Sequence, residues 1–393
     1  MTEFVLGICL GFVAVPVLAQ EASRSIAIGE KFSLRSVVLG EERSYWVSVP
    51  ESYRDTTVAT QQYPVLYLLD GDAYFYSATG TVQFMSAGRS GSVQIPEMIV
   101  VAILNTDRTR DMTPTRTLRR PEGEDQSLKN SGGGDAFLEF LRTELVPQVD
   151  RTYRTNPYRI IVGHSFGGLL ALHAFQAAPA LFQGYIAIDP SVFWDDQVLV
   201  RRSAASSRDR AGRPRAVYLA LSSSYTSGYL GAAATAFGNH LESLSGAGVR
   251  SVLQSFPAEI HQSVFHIALY QGLLFLFDGY RITPGQMFQE SANLAAHFEH
   301  VSKQVGVELI PPERFIDQVA QAFLDAKQVD RAIDLFRFNA SSHQVSSHAY
   351  SSLARAYEIK GDTQLAIKNY ETSLGLKPDN PDVRERLRLL IRR

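Results

Sequence analysis

The segment that most constrains this chain is YRIIVGHSFGGLLALHAF, residues 158–175. A β-branched apolar run meets Gly163-His164-Ser165-Phe166-Gly167-Gly168, and a run of helix formers follows at once. A strand can pass straight into a helix here only through a very sharp turn, in which Ser165 takes a strained backbone conformation. Glycines at 163 and 167 supply the missing steric room. Ser165 Oγ then stands clear at the N-terminus of the helix, whose dipole favours developing negative charge. A bare G-x-S-x-G arises by chance in chains of this glycine content, and the bland alternative is a glycine-rich turn packing strand to helix. The strand–turn–helix setting favours a nucleophile elbow, with Ser165 as nucleophile.

The flanking sequence alternates strand and helix patterns. Residues 31–50 read as a β-hairpin across Gly40-Glu41-Glu42. Continuous apolar runs at 64–70, 98–104, 158–163, 185–189, 216–222 and 251–256 have the character of strands buried on both faces. Helical patterns occupy 73–87, 134–149, 166–178, 229–246 and 263–277. The expectation is an α/β fold with a mostly parallel sheet flanked by helices. Two polar loops stand out. Residues 105–134 carry Arg108, Arg110, Arg116, Arg119 and Arg120 and end in three glycines. This loop leaves the carboxyl end of a strand, where open α/β sheets bind ligands, so Arg108 and Arg110 are candidate substrate-binding residues beside the bland reading of a solvated loop. Residues 201–215 are basic and read as solvated.

A serine hydroxyl needs a base. In an elbow protein the base comes last in the chain, after the final strand, and Pro257-Ala258-Glu259-Ile260-His261 follows the run at 251–256. His261 is the expected base. His266, one turn into the next helix, is expected to pack there. An acid normally follows the strand at 216–222, but Ser222-Ser223-Ser224-Tyr225 offers no carboxylate. Asp189, ending the strand at 185–189, ranks first among the substitutes, followed by Glu259 and Glu242. A Ser–His dyad is the further possibility, since the acid only orients the imidazole and stabilises its charge. The oxyanion hole is expected from the amides of Phe166 and Asp72, with Gly71 letting the backbone approach the substrate.

The segments YPVLYLLDGDAYF, GHSFGGLLALHAF, AIDPSVFWDD and EIHQSVFHIALYQGLLFLFDGY together resemble the family of α/β-hydrolases that goes by the name "Putative esterase". That family includes enterobactin-type siderophore esterases, feruloyl and acetylxylan esterases and the antigen 85 acyltransferases. The resemblance spans about residues 31–280, and RTRDMTP (108–114) is similar to a segment of the siderophore-esterase branch. It implies an α/β-hydrolase fold and hydrolysis of carboxylic esters through an acyl-enzyme, with Ser165 and His261 matching the nucleophile and base. The glutamate that many members carry near position 224 is missing here.

The remaining segments bound the surroundings of this domain. Residues 4–19 are almost unbroken apolar sequence. The run is too short to span a membrane, of a length that suits a signal peptide, and has small residues before a cleavage point after Ala19. The n-region lacks Lys or Arg. Export to the periplasm or medium is the expectation. Cys9, the single cysteine of the 393 residues, would leave with that segment, which excludes disulfides and thiolate chemistry in the mature chain. The nine histidines show no metal-ligand spacing, so neither a metal nor another cofactor is expected. A formal charge of −2 gives no reason to expect nucleic acid or an anionic membrane as partner.

From residue 313 the chain matches itself at a shift of 34: Ala332-Ile333 on Ala366-Ile367, Phe336 on Tyr370, Phe323 on Tyr357 and Val319 on Leu353. Paired helices at that period resemble tetratricopeptide repeats. The expected organisation is a signal peptide (1–19), a catalytic domain (20–285), a linker with a helix (286–312) and two repeats with a closing helix (313–393). The repeats are candidates for homodimer or protein-partner contacts. The small molecule expected is an ester. Two other readings share these residues: a binding protein that uses the repeats on a degenerate hydrolase scaffold, and an acyltransferase with the same site.

Overall fold

The structure is a computed structural model describing residues 26–54, 61–87, 93–120, 123–205, 213–282, 286 and 294–392. The apolar run at 4–19 with Cys9 lies outside the described residues, as does the middle of the basic loop at 201–215. Among the described residues, no helix is long and apolar enough to cross a membrane.

Eight strands form one sheet: β1 (Glu30–Arg35), β2 (Glu42–Ser48), β3 (Tyr63–Leu68), β4 (Ile99–Ile103), β5 (Thr155–His164), β6 (Gly184–Ile188), β7 (Arg215–Ser222) and β8 (Val249–Phe256). Their order is β1-β2-β4-β3-β5-β6-β7-β8. The hairpin is antiparallel, β2 pairs antiparallel with β4, and every other pairing is parallel. The central strands are buried along their whole length, as unbroken apolar runs require when helices cover both faces.

The longer helices of this region are α1 (Gly71–Ser86), α2 (Gly134–Phe140), α3 (Val146–Thr152), α4 (Phe166–Ala177), α5 (Trp194–Ala205), α6 (Gly228–Ser243) and α7 (Phe265–Leu276), and a single helical turn spans Arg108–Asp111. A π turn, Leu141–Leu145, joins α2 to α3. α4 is buried from Phe166 to Phe175, which suits its apolar sequence on all sides. α5 was not legible as a helix. The basic composition from 201 reads as loop, whereas helix continues to Ala205 after three successive left-handed residues, Asp195, Asp196 and Gln197.

The chain continues into α8 (Leu294–Val305), α9 (Glu313–Asp325), α10 (Val329–Ser342), α11 (Ser347–Lys360), α12 (Thr363–Leu376) and α13 (Pro381–Ile391). The first residues of α9, α11 and α13 stand 34 apart, as do those of α10 and α12. Buried side chains run without a break from α1 and α7 through Tyr280, Leu294, Phe298 and Val301 into α9–α13. The Tyr280 and Phe298 rings meet edge to face at 5.3 Å.

Candidate active site

Parallel register brings four strand ends to one level. Leu68 pairs with Val162, His164 with Ile188, and Ile188 with Ala220, while Ser222 pairs with Phe256 on the far side. The residues just beyond these ends therefore gather at the carboxyl edge of the sheet: Asp70 to Asp72, Ser165, Asp189, and the turn after Ser222.

Ser165 joins β5 directly to α4 with φ 60° and ψ −117°, a conformation that costs a non-glycine residue about 1–3 kcal/mol. Its amide is held by Ile188 O at 2.9 Å. The flanking glycines have separate causes. A Cβ on Gly163 would lie 2.2 Å from the Gly167 carbonyl, and one on Gly168 would lie 3.0 Å from Pro190 Cα. α4 begins at Phe166 and α1 at Gly71, so the amides of Phe166 and Asp72 belong to first turns that lack intrahelical acceptors. The helix starts are neighbours, since a Cβ on Gly167 would stand 3.2 Å from Asp70 Oδ2.

Gly71 also meets a packing demand: a Cβ there would lie 2.9 Å from Ala102, so the glycine lets the start of α1 approach β4. The arginine-rich loop is also anchored. Arg110 bonds Glu41 and Asp111, and Asp111 in turn pairs with the buried Arg43 at 2.6 Å. Arg110 therefore ties the loop to the hairpin, and its guanidinium is committed there. Arg108 is placed at the site. It makes a two-pronged contact with Asp70 (2.6 and 3.0 Å), reaches His164 O at 3.2 Å and lies over the Phe166 ring at 5.4 Å. The three glycines let the loop close on itself: Gly133 N donates to Arg110 O and Gly134 N to Thr113 O, each at 2.9 Å.

Asp189 follows β6 with φ 41° and no exposed surface. Its Oδ1 accepts the Ser222 N–H at 2.6 Å. Its Oδ2 accepts the Ser222 hydroxyl at 2.5 Å and His261 Nδ1 at 2.9 Å. The His261 ring is stacked on Tyr225 (centroids 5.0 Å apart, 15° between planes) and faces His164 at 4.2 Å. The Glu259 carboxylate turns away to Ser263 Oγ, while its backbone oxygen accepts from Ser223 N–H and hydroxyl. Glu242 lies exposed on α6. His266 is exposed on α7 instead of packed, since Phe265 takes the inward position of that turn.

Three residues beside this pair, His164, Tyr74 and Tyr225, carry no signal of their own in the sequence. His164 is the variable residue of the elbow motif. Burial, reinforced by the neighbouring His261, pushes its imidazole down to about 4 against the pull of the Asp189 carboxylate, so it is neutral near pH 7. Its Nδ1 is hydrogen-bonded to the Tyr74 hydroxyl at 3.0 Å, and Tyr74 stacks on Phe265 at 3.8 Å. Tyr225 closes the far side of His261. A serine motif marks only the nucleophile, and nothing local in the sequence announces such neighbours.

His164, Asp189 and His261 hold ligand-capable atoms within 4.8 Å of one another. The Asp189 oxygens already accept three hydrogen bonds, two of them from Ser222, so this donor set fits a hydrogen-bonded Asp–His pair better than a metal centre.

The family model described as "Putative esterase" matches residues 36–227. The ferri-bacillibactin esterase BesA of Bacillus subtilis is 28% identical over 260 residues, covering 62% of this chain and 89% of that protein. The solved IroE-like serine hydrolase from Shewanella oneidensis is 30% identical with a TM-score of 0.70, over 80% of this chain and 99% of its own. An uncharacterised protein from Capnocytophaga ochracea shares the fold over 93% of this chain and 100% of its own, with a TM-score of 0.60 at 18% identity. On the strength of the Shewanella relative and the family match together, the chain belongs to this esterase family of α/β-hydrolases and is a carboxylic ester hydrolase.

Proposed function

We propose that this esterase works through an acyl-enzyme on Ser165, with His261 as general base and Asp189 as the acid that orients it. The carrying observation is the His261 Nδ1–Asp189 Oδ2 hydrogen bond at the carboxyl edge that also presents the strained Ser165. With Nδ1 committed to the carboxylate, Nε2 is the nitrogen left to take the serine proton. As Ser165 Oγ bonds the ester carbonyl carbon, its proton passes to His261. The amides of Phe166 and Asp72 hold the oxyanion. Collapse breaks the bond to the alcohol, which leaves with the proton from His261. Water then repeats the sequence, releasing the acid and restoring Ser165.

The proposed substrate is a siderophore ester. The name of the Bacillus subtilis relative supports that class, and Arg108, paired with Asp70 yet partly exposed over the Phe166 ring, offers the remaining part of its guanidinium to an anionic or catecholic acyl part. The helices α9–α13 are read as tetratricopeptide-like repeats on their 34-residue spacing. Export to the periplasm or medium rests on the apolar run before Gln20. The test is hydrolysis by the purified chain of p-nitrophenyl acetate and of ferric and iron-free siderophore tri-esters, followed by chromatography. Cleavage of the aryl ester but of no siderophore would refute the substrate class, and cleavage of neither would refute the mechanism.

A further inference from the structure

We propose that Ser222 is a positioning residue for this reaction, standing where the sequence order calls for the acid and aligning Asp189 on His261 with both its amide and its hydroxyl. The inference rests on the catalytic reading of Ser165, His261 and Asp189 given above.

The Asp189 carboxylate has no exposed surface, and its direction follows from its protein donors. Asp189 has three such bonds, and Ser222 supplies two. The amide fixes Oδ1 at 2.6 Å and the hydroxyl fixes Oδ2 at 2.5 Å, which defines the plane of the group before His261 is met. The backbone supports the same alignment, since Asp189 N donates to Ala220 O at 2.8 Å, two residues before Ser222. The next residue holds the other partner. Ser223 donates its N–H (2.9 Å) and its hydroxyl (2.7 Å) to Glu259 O, on the loop that carries His261. Tyr225, on the same turn, stacks on the imidazole. The segment Ser222–Tyr225, which lacks any carboxylate, thus orients both members of the Asp–His pair.

Without the Ser222 hydroxyl, Asp189 Oδ2 keeps His261 alone, and the plane of the carboxylate rests on one donor per oxygen, the Ser222 amide and His261. A misdirected orienting group slows proton transfer without altering the ester-binding surface, so the loss belongs in kcat.

The experiment uses the full chain with p-nitrophenyl acetate. Ser222→Ala is expected to lower kcat about tenfold or more with KM within about twofold. Ser222→Thr, which keeps a hydroxyl, is expected to recover most of that loss, whereas its isostere Ser222→Val does not. The low-field proton resonance of His261 Nδ1–H, absent in Asp189→Asn, is expected to shift or broaden in Ser222→Ala. Wild-type kcat in Ser222→Ala overturns the proposal. Should that variant fold poorly, Thr no better than Val overturns it equally. A fluorophosphonate probe separates the two readings: an unlabelled Ser165 in the wild type refutes the catalytic assignment, while a labelled Ser165 with an indifferent Ser222→Ala refutes the positioning role alone.

Discussion

The Asp189 carboxylate ends β6, one strand short of the usual place after β7, and meets His261 Nδ1 at 2.9 Å across 72 residues of sequence. If this is the orienting acid, Asp189→Asn lowers kcat by up to ~10⁴, because the amide no longer favours the productive tautomer. Glu259→Gln and Glu242→Gln leave it within about twofold, since one carboxylate bonds Ser263 and the other faces solvent. Steady-state rates of the three variants decide. Near-normal turnover in all three would leave Ser165 and His261 as a dyad.

Ser165→Ala should abolish hydrolysis, a loss of ~10⁶ in turnover, and His261→Ala should come close to it. The double variant should be no worse than either single one, because the two groups act as a unit. A serine variant that keeps a tenth of wild-type activity would show that another residue is acylated.

How much of this was readable beforehand depends on whether the cause was local. Strands buried on both faces are continuous apolar runs, so the central strands stood out, the hairpin showed through its turn at Gly40, and the turn around Ser165 announces itself through its glycines. The neighbour of His261 did not. Its place at a strand end ranks Asp189 ahead of Glu259 and Glu242, but only the pairing of β6 with β7 sets it against Ser222. The partner of Arg110 was hidden for a related reason: Glu41 lies far upstream, and no spacing rule reveals the pair. The left-handed residues Asp195 to Gln197 also lacked a signal, because Trp-Asp-Asp-Gln contains no glycine to mark the departure.

Gly163→Ala should fail as a folded protein or lose about 3 kcal/mol or more, since its Cβ would sit 2.2 Å from the Gly167 backbone. Gly80→Ala, on the exposed face of α1 with nothing within 4 Å, should instead gain up to about 1 kcal/mol. Urea unfolding of both variants checks the contrast. Equal stability would mean that the elbow can relax around a side chain.

Acid should destabilise the protein through His164. Its folded imidazole is depressed to about 4 from an ordinary 6.5, so between those values the unfolded chain binds the proton more readily. Its neutral burial is therefore without cost above about pH 6.5, and stability falls as pH drops toward 4, by about 3 kcal/mol in the limit. The fall in melting temperature from pH 7 to 4.5 should be smaller in His164→Asn than in the wild type. Parallel curves would mean that His164 is not the group responsible.

Truncation after Tyr280 tests what α8–α13 do for the hydrolase. Tyr280 is buried and meets Phe298, and the apolar interior runs on through Leu294 and Val301 into the helical pairs. Removing these helices re-exposes the end of α7 and its neighbours, each large side chain costing about 1.5–3 kcal/mol. The truncated chain should keep Ser165 chemistry on small aryl esters, because no residue of the strand-edge cluster lies beyond position 265. It should melt lower and associate through the uncovered patch. Light scattering and thermal unfolding read the stability, and a set of small and bulky esters reads the cleft. A truncated chain that stays stable but loses only bulky substrates would place the helices at the cleft wall. One indistinguishable from the full chain in every respect would make them an independent arm for a protein partner or a second copy.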